Sequence, residues 1–309
     1  MDALLRQQTQ MPFEIVIVSD GSTDGTDEYL PTIEPPPGSK VSIHHECQEN
    51  LGPAATRNRG VGIAEGELVI FIDDDVVASD RLVQAHVDAH QLLGHDLVVI
   101  GPMLDPVDHR MSPWVRWEQI MLQKQYSAMD AGEYEATARQ FYTGNASLRR
   151  EHLVEAGGFD TSFRRAEDVE LAYRLDDRGL RFHYENSAVA YHYAERSFEA
   201  WKSAAYVYGR NEVIFARDHS RSWMMPDMAY KFRNHHPAIR TLTSACVRRP
   251  WLRRPVTLLL GWIGGIGGPV RFGRLTQYAL SALYSVEYHT GIAEELGSGE
   301  RFFEVVGAG

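Results

Sequence analysis

Glu14-Ile15-Val16-Ile17-Val18-Ser19-Asp20-Gly21-Ser22-Thr23-Asp24-Gly25 is the stretch on which the fold turns. Ile15 to Val18 is an unbroken apolar run, the pattern of a parallel strand covered on both faces rather than of a half-solvated one. The residues from Asp20 to Gly25 tolerate tight turns and cap helices. Working outward, Val41-Ser42-Ile43-His44 predicts a second strand, residues 53–65 a helix and Glu67–Ile72 a third strand. Residues 79–93 predict another helix and Leu97-Val98-Val99-Ile100 a fourth strand. This alternation predicts an α/β fold: a Rossmann-like, mostly parallel sheet with helices on both faces. Residues 102–150 are less regular and hold Trp114 and Trp117, whose helical neighbourhood points to core packing. From Glu167 to Leu180 the spacing is helical, with Leu171 and Leu175 four apart; two short strands over 181–193 and a long helix over 197–217 follow.

The 309 residues are 44% hydrophobic and 24% charged, ordinary for a folded chain with a substantial core. A net charge of −11 argues against a nucleic-acid binder held by phosphate contacts. The charge is uneven. Met228 to Val286 contains no Asp or Glu but nine basic residues, the signature of a basic tail facing an anionic partner. Cys47 and Cys246 lack any CxxC spacing, which argues against a disulfide framework and a cysteine zinc site. Met1–Gln10 lacks the basic start and apolar run of a secretion signal, and no segment reaches the roughly 18 to 20 apolar residues of a membrane span. The expected location is the cytoplasm.

Three acidic positions carry the chemistry. Asp20 stands at the carboxyl end of the first strand, where open α/β sheets bind ligands; its plain alternative is the opening of an Asp-Gly turn. Asp73-Asp74-Asp75 follows the apolar strand directly, and alternation along an extended chain turns Asp73 and Asp75 the same way. Neighbouring carboxylates repel unless a cation neutralises them, and hard oxygen ligands suit Mg²⁺ or Mn²⁺. A solvated acidic loop is the competing reading. Glu167-Asp168 opens an amphipathic helix, where acids complement the macrodipole and where the same dipole keeps a general base ionised.

Val18–Thr26, then Asn50-Leu51-Gly52 with Arg57-Asn58, then Ala64-Glu65-Gly66-Glu67 and Phe71-Ile72-Asp73-Asp74-Asp75, resemble glycosyltransferase family 2 in order and spacing. Thr143-Gly144-Asn145, Gly157-Gly158-Phe159-Asp160 and Glu167-Asp168-Val169-Glu170-Leu171 extend the likeness over roughly residues 3–215. The resemblance implies a GT-A fold, a nucleoside-diphosphate-sugar donor, a divalent metal and an acceptor hydroxyl on a glycan or lipid-linked molecule, as in cell-envelope polysaccharide assembly. It implies that Asp20 contacts the nucleobase and Asp73 the ribose, with Asp74 beside it. Asp75, in a DXD motif, would bind the metal with His192 as a further metal or diphosphate contact. Arg57 would contact phosphate or nucleotide, and Asp168 would be the base of a mostly inverting, single-addition reaction.

Two expectations concern the ends of the chain. Relatives begin with a strand that walls the base pocket, and Met1 falls in the helix that should follow it, so an upstream first strand is expected to be missing. The catalytic domain is expected over 1–220, with a nucleotide-sugar half at 1–101 and an acceptor half at 102–220, followed by a basic helical tail at 221–309. Within that tail the uncharged Pro255–Val270 is expected to lie on an anionic membrane surface, at the inner face of the plasma membrane, rather than to span it. A sugar nucleotidyltransferase and a non-catalytic glycan-binding relative are the alternatives.

Overall fold

The computed structural model describes residues 1–218, 221–266 and 272–307. It divides into two compact units, Met1–His109 with Met121–Ala194, and Arg110–Ile120 with Glu195–Gly309.

The first unit begins with α1 (Asp2–Leu5), β1 (Phe13–Asp20), α2 (Thr26–Tyr29), β2 (Val41–Gln48), α3 (Pro53–Ile63), β3 (Leu68–Ile72) and β4 (Val76–Ala78). It continues with α4 (Leu82–Leu93), β5 (Leu97–Ile100), β6 (Met103–Leu104) and the part of α5 (Pro113–Asp130) from Met121 onward. Next come β7 (Asn145–Arg149), α6 (Arg150–Glu155), α7 (Glu167–Asp177), β8 (Arg181–Tyr184) and β9 (Ala190–His192). The apolar runs become strands as their composition predicts. All four residues of β5 are at most 1% exposed, the mark of a strand covered on both faces.

β1 pairs in parallel with β2, Phe13 opposite Val41 through Asp20 opposite Gln48. A four-stranded sheet runs β3-β7-β5-β8 and a three-stranded one β4-β9-β6. β5 and β8 are parallel, but β7 enters antiparallel to both β3 and β5. Its sequence, Asn-Ala-Ser-Leu-Arg, has no apolar run to announce a strand, because two of its buried residues are polar.

Those polar residues form a determined hydrogen-bond chain. The Asn145 amide donates to the carbonyls of Pro102 (3.0 Å) and Ala188 (2.7 Å), so its Oδ1 accepts from His86 Nε2 at 2.9 Å. His86 Nδ1 then accepts from the Ser147 hydroxyl at 2.8 Å, and Ser147 Oγ accepts from His90 Nε2 at 2.9 Å. His86 and His90, four apart on the buried face of α4, are both pushed down to about 4 by burial, so they are neutral at pH 7. With every donor matched, the chain locks the end of β5 to the start of β7.

The second unit is helical: the first half of α5, then α8 (Phe198–Asp218), α9 (Met224–Asn234), α10 (Pro237–Arg248), α11 (Arg253–Gly261), α12 (Arg274–Glu295) and α13 (Gly299–Gly307). Trp117 packs edge-on against Trp201 (5.7 Å between centroids) and donates to Ser281 Oγ at 2.9 Å. Trp114 donates to the Arg196 carbonyl at 2.8 Å and meets Phe198 edge-on. Trp117 is a core residue, and Trp114 is half-buried. Among the described residues no helix is long and apolar enough to cross a membrane.

Candidate active site

The register of two sheets positions the acidic turn. Ile72, the last residue of β3, stands opposite Asn145, and Val76, the first of β4, stands opposite His192. Asp73, Asp74 and Asp75 form the turn between these two anchored points, with Asp74 exposed at its tip. Gly144 backs the turn on one side. A Cβ there would lie 2.6 Å from Met103 Sδ and 3.2 Å from Asp73 Oδ2, so the backbone approaches only because the side chain is absent. On the other side His192 Nε2 lies 3.3 Å from Asp75 Oδ2, and the Tyr193 amide donates to the Asp75 carbonyl at 2.8 Å.

Arg57, on α3, joins this turn to the start of α7. One end of its guanidinium donates to Asp73 Oδ1 at 3.0 Å and the other to Glu167 Oε1 at 2.6 Å. Burial works against its charge, yet Asp73 and Glu167 raise its pKa further. The residue read from the sequence as a phosphate or nucleotide contact therefore spends two donors on carboxylates, and its partner Glu167 was not anticipated.

The segment that leads into α7 is fixed by side chains of α3 and of α7 itself. Asn58 grips the Phe159 backbone both ways, Nδ2 donating to its carbonyl and Oδ1 accepting from its amide, each at 2.8 Å. Arg174 pairs with Glu170 at 2.6 Å and donates to the carbonyls of Ala156 and Gly158. Ala166 immediately precedes the helix with φ 62°, the one non-glycine residue described in the left-handed region. Such a conformation costs of order 1 kcal/mol or more and persists where the surroundings over-determine it.

Asp168, in the first turn of α7, is half-buried with a wetted edge. Burial is the main reason its carboxyl is pushed up to about 7; the neighbouring Glu167 adds to the effect, and Arg57 opposes it. This is a carboxyl poised to exchange a proton near neutrality.

Asp20 sits at the end of β1 as the strand pattern implied, but its oxygens are engaged by the chain itself. Oδ1 accepts from Gln48 Nε2 and the Leu51 amide, and Oδ2 from the Gly52 amide, all at 2.8 Å. Burial raises its pKa, but these hydrogen bonds outweigh it and hold the carboxyl below the ordinary range. Asp20 thus shapes the loop that leads into α3.

Four carboxylates, Asp73, Asp75, Glu167 and Asp168, accompany Arg57 as the fixed cation, leaving the cluster with surplus negative charge. Asp75 Oδ2 and His192 Nε2 have the spacing of ligands sharing one ion, since donors about 2.0 to 2.1 Å from an octahedral cation stand about 3 Å apart. The donor set, one carboxylate and one imidazole beside further carboxylates, suits a divalent cation that also takes phosphate oxygens.

The family model for glycosyl transferase family 2 matches residues 1–157. Validoxylamine A glucosyltransferase of Streptomyces hygroscopicus subsp. jinggangensis is 31% identical over 206 residues, 58% of this chain and 48% of that protein. Pre-mycofactocin glycosyltransferase of Mycobacterium tuberculosis is 27% identical over 220 residues, 66% of this chain and 43% of that one. The chain spans about half the length of the curated relatives it matches. Among solved structures, S. aureus TarS 1-349 in complex with UDP-GlcNAc superposes with a TM-score of 0.53 at 19% identity, covering 96% of this chain and 87% of that one. That likeness establishes the GT-A fold.

Proposed function

The chain belongs to glycosyl transferase family 2, and from that membership and the site geometry we propose that it moves a sugar from a nucleoside-diphosphate sugar to an acceptor hydroxyl, with inversion and with a divalent metal. The observation that carries this reading is the convergence of the Asp73–Asp75 turn, His192 and Asp168 on one rim, tied together by Arg57. The donor class is supported by the UDP-GlcNAc complex of the structural neighbour and by the glucosyltransferase among the relatives.

Asp75 and His192 are assigned to hold the metal, which when bound would neutralise charge developing on the departing nucleoside diphosphate. Asp73 and Asp74 face the donor, Asp73 toward the ribose, while Arg57 fixes the Asp73 rotamer. Asp20, with the loop it holds at Asn50–Gly52, faces the nucleobase. Asp168 accepts the proton of the acceptor hydroxyl as its oxygen attacks the anomeric carbon and the diphosphate leaves from the opposite face. A base works best with a pKa near the working pH, and burial beside Glu167 provides that.

Calorimetry of nucleoside diphosphate binding with and without Mn²⁺ tests these roles. Asp75→Ala is expected to weaken the metal-dependent component tenfold or more. Asp168→Asn is expected to leave it within about twofold. Equal losses in the two variants would contradict the division of labour.

We assign the helices after residue 221 to contact with an anionic membrane surface, where a lipid-linked acceptor would be found. α11 carries its apolar side outward: Leu258, Leu259 and the following Trp262 are 58–66% exposed, with Trp251 just before the helix 71% exposed. Thr257 and Gly261, on the other side, are buried. Leu275 and Tyr278 at the start of α12 are also exposed, as are the cations Arg249, Arg254 and Arg274. Trp and Leu beside Arg is the composition of a helix lying in a membrane interface, each Arg contributing about 1 kcal/mol on an anionic surface. Arg253, just before the uncharged segment, is paired with Glu287 and Glu294 and is not among these free-standing exposed cations. Residues 267–270 of the uncharged segment, and Arg271 after it, lie outside the described residues. Liposome flotation checks this. Binding should require anionic lipid, weaken with salt, and fall at least fivefold in Leu258→Ser/Trp262→Ser. Binding unaffected by those substitutions would discard the surface.

A further inference from the structure

The first unit carries a second cluster of potential metal ligands, at the opposite end of the sheet from the acidic turn. β5 starts at Leu97 and runs toward Gly101, beside Asn145; antiparallel β7 starts at Asn145 and runs back to Arg149. The loop before β5 and the helix after β7 therefore meet at the far end, about 13 Å along the strands from Asn145 at roughly 3.3 Å per residue. His95 and Asp96 come from that loop, and Glu151 and His152 from α6.

One ligand atom from each of His95, Asp96 and His152 lies within 4.8 Å of the others. Asp96 Oδ1 is the shared vertex, 3.3 Å from His95 Nδ1 and 3.6 Å from His152 Nε2. A tetrahedral ion with ligands at about 2.0 to 2.1 Å separates its donors by about 3.3 Å, so these two edges need almost no movement. The other ring nitrogen of His95 is already supported: Nε2 lies 2.7 Å from Glu151 Oε1. A carboxylate on the remote N–H is the usual second partner of a metal-bound imidazole, fixing its tautomer and leaving Nδ1 for the ion. His152 is nearly buried, with its ring edge-on to His95 at 5.2 Å between centroids, so neither ring is a freely swinging surface group.

We propose that His95, Asp96 and His152 form a site for a borderline divalent ion of the Zn²⁺ class, with Glu151 as the buttress of His95 and water completing the coordination. Two imidazoles and a carboxylate select such an ion over Mg²⁺, which prefers oxygen. Binding takes the place of the His95 Nδ1–Asp96 contact and of the hydrogen bond between His152 Nε2 and the His95 carbonyl (3.2 Å), and clips the β5 entry loop to α6. The site is separate from the donor site and does not depend on the reaction proposed above. Its competitor is His95 bridging Asp96 and Glu151 by its two ring nitrogens alone, which needs no metal.

The test uses the full chain with Asp75→Ala as background, so that any donor-site metal is removed from the measurement. Titration with Zn²⁺ by calorimetry, alongside the thermal midpoint with and without Zn²⁺, is expected to show one remaining site and a raised midpoint. Adding His95→Ala or Asp96→Asn, both at exposed positions, should weaken Zn²⁺ at least tenfold and abolish the thermal shift. Glu151→Gln should weaken it by less than His95→Ala does, since it removes an outer partner and not a ligand. The proposal is overturned if the Asp75→Ala background binds no Zn²⁺, or if its affinity is the same after His95 and Asp96 are replaced.

Discussion

Asp168→Asn is expected to lower the rate of sugar transfer by about 10²- to 10⁴-fold, the usual contribution of a positioned general base, and at the same time to stabilise the protein at neutral pH. The two effects have one cause. The native chain holds the Asp168 proton up to about pH 7, whereas an ordinary aspartate releases it near 3.8. Between those limits the folded state binds the proton more tightly than the unfolded state, so stability is lost as pH rises through the window. At about 1.4 kcal/mol per unit, and discounted for the wetted edge of the carboxyl, the charged form destabilises the fold by roughly 1 to 3 kcal/mol at pH 8. Asn has no such charge. The variant should melt higher than the parent at pH 8 and close to it at pH 4. In the parent, kcat/KM should fall tenfold per unit below about pH 7 as the base protonates. Loss of activity without any gain in stability would mean that Asp168 is not the strained carboxyl described here.

How much of this was legible in the chain differs by element. The strands of the α/β core were readable wherever burial on both faces forced a continuous apolar run, as at Leu97–Ile100. β7 was not, because its buried Asn145 and Ser147 are stabilised by side chains that arrive from α4, far away in sequence. A hint was present: His86 and His90, four apart, fall on the same helical face as Leu82 and Ala89. Periodicity shows that such histidines face inward but does not name their partners. At the candidate site the acidic positions stood out because each follows a strand or opens a helix. The Arg57–Glu167 pair joins positions 110 residues apart, and no local pattern encodes it. Asp20 shows what a local reading leaves out. Its place at a strand end suggests a ligand contact, and three hydrogen bonds from residues 48–52 add a part in the loop that only the folded chain reveals.

The second large effect is expected within the helical unit, at the crossing of α8 and α12. Gly209 and Gly291 face each other there in a reciprocal arrangement. A Cβ on Gly209 would lie 1.9 Å from the Tyr288 carbonyl oxygen, and one on Gly291 would lie 2.1 Å from that of Tyr206. Both obstacles are helix backbone, which cannot rotate aside as a side-chain tip does. Ion pairs from Arg210 and Arg217 to Glu295 (2.7 and 3.0 Å) hold the same crossing closed. Inside an isolated helix, Gly→Ala stabilises by about 1 kcal/mol, so the sign of the change distinguishes two accounts. If helix propensity governs, Gly209→Ala raises the midpoint of unfolding. If close backbone approach governs, the helices must move apart along α12, and a cost of about 3 kcal/mol or more remains after the propensity gain, at the upper end of overpacking penalties. We expect the second. Gly62→Ala is the control: it lies near the end of α3 with nothing within 4 Å of the added Cβ, and it should be neutral or stabilising by under about 1 kcal/mol. Urea unfolding of both variants gives the comparison, and a Gly209→Ala midpoint at or above that of the parent would rule out the tight crossing.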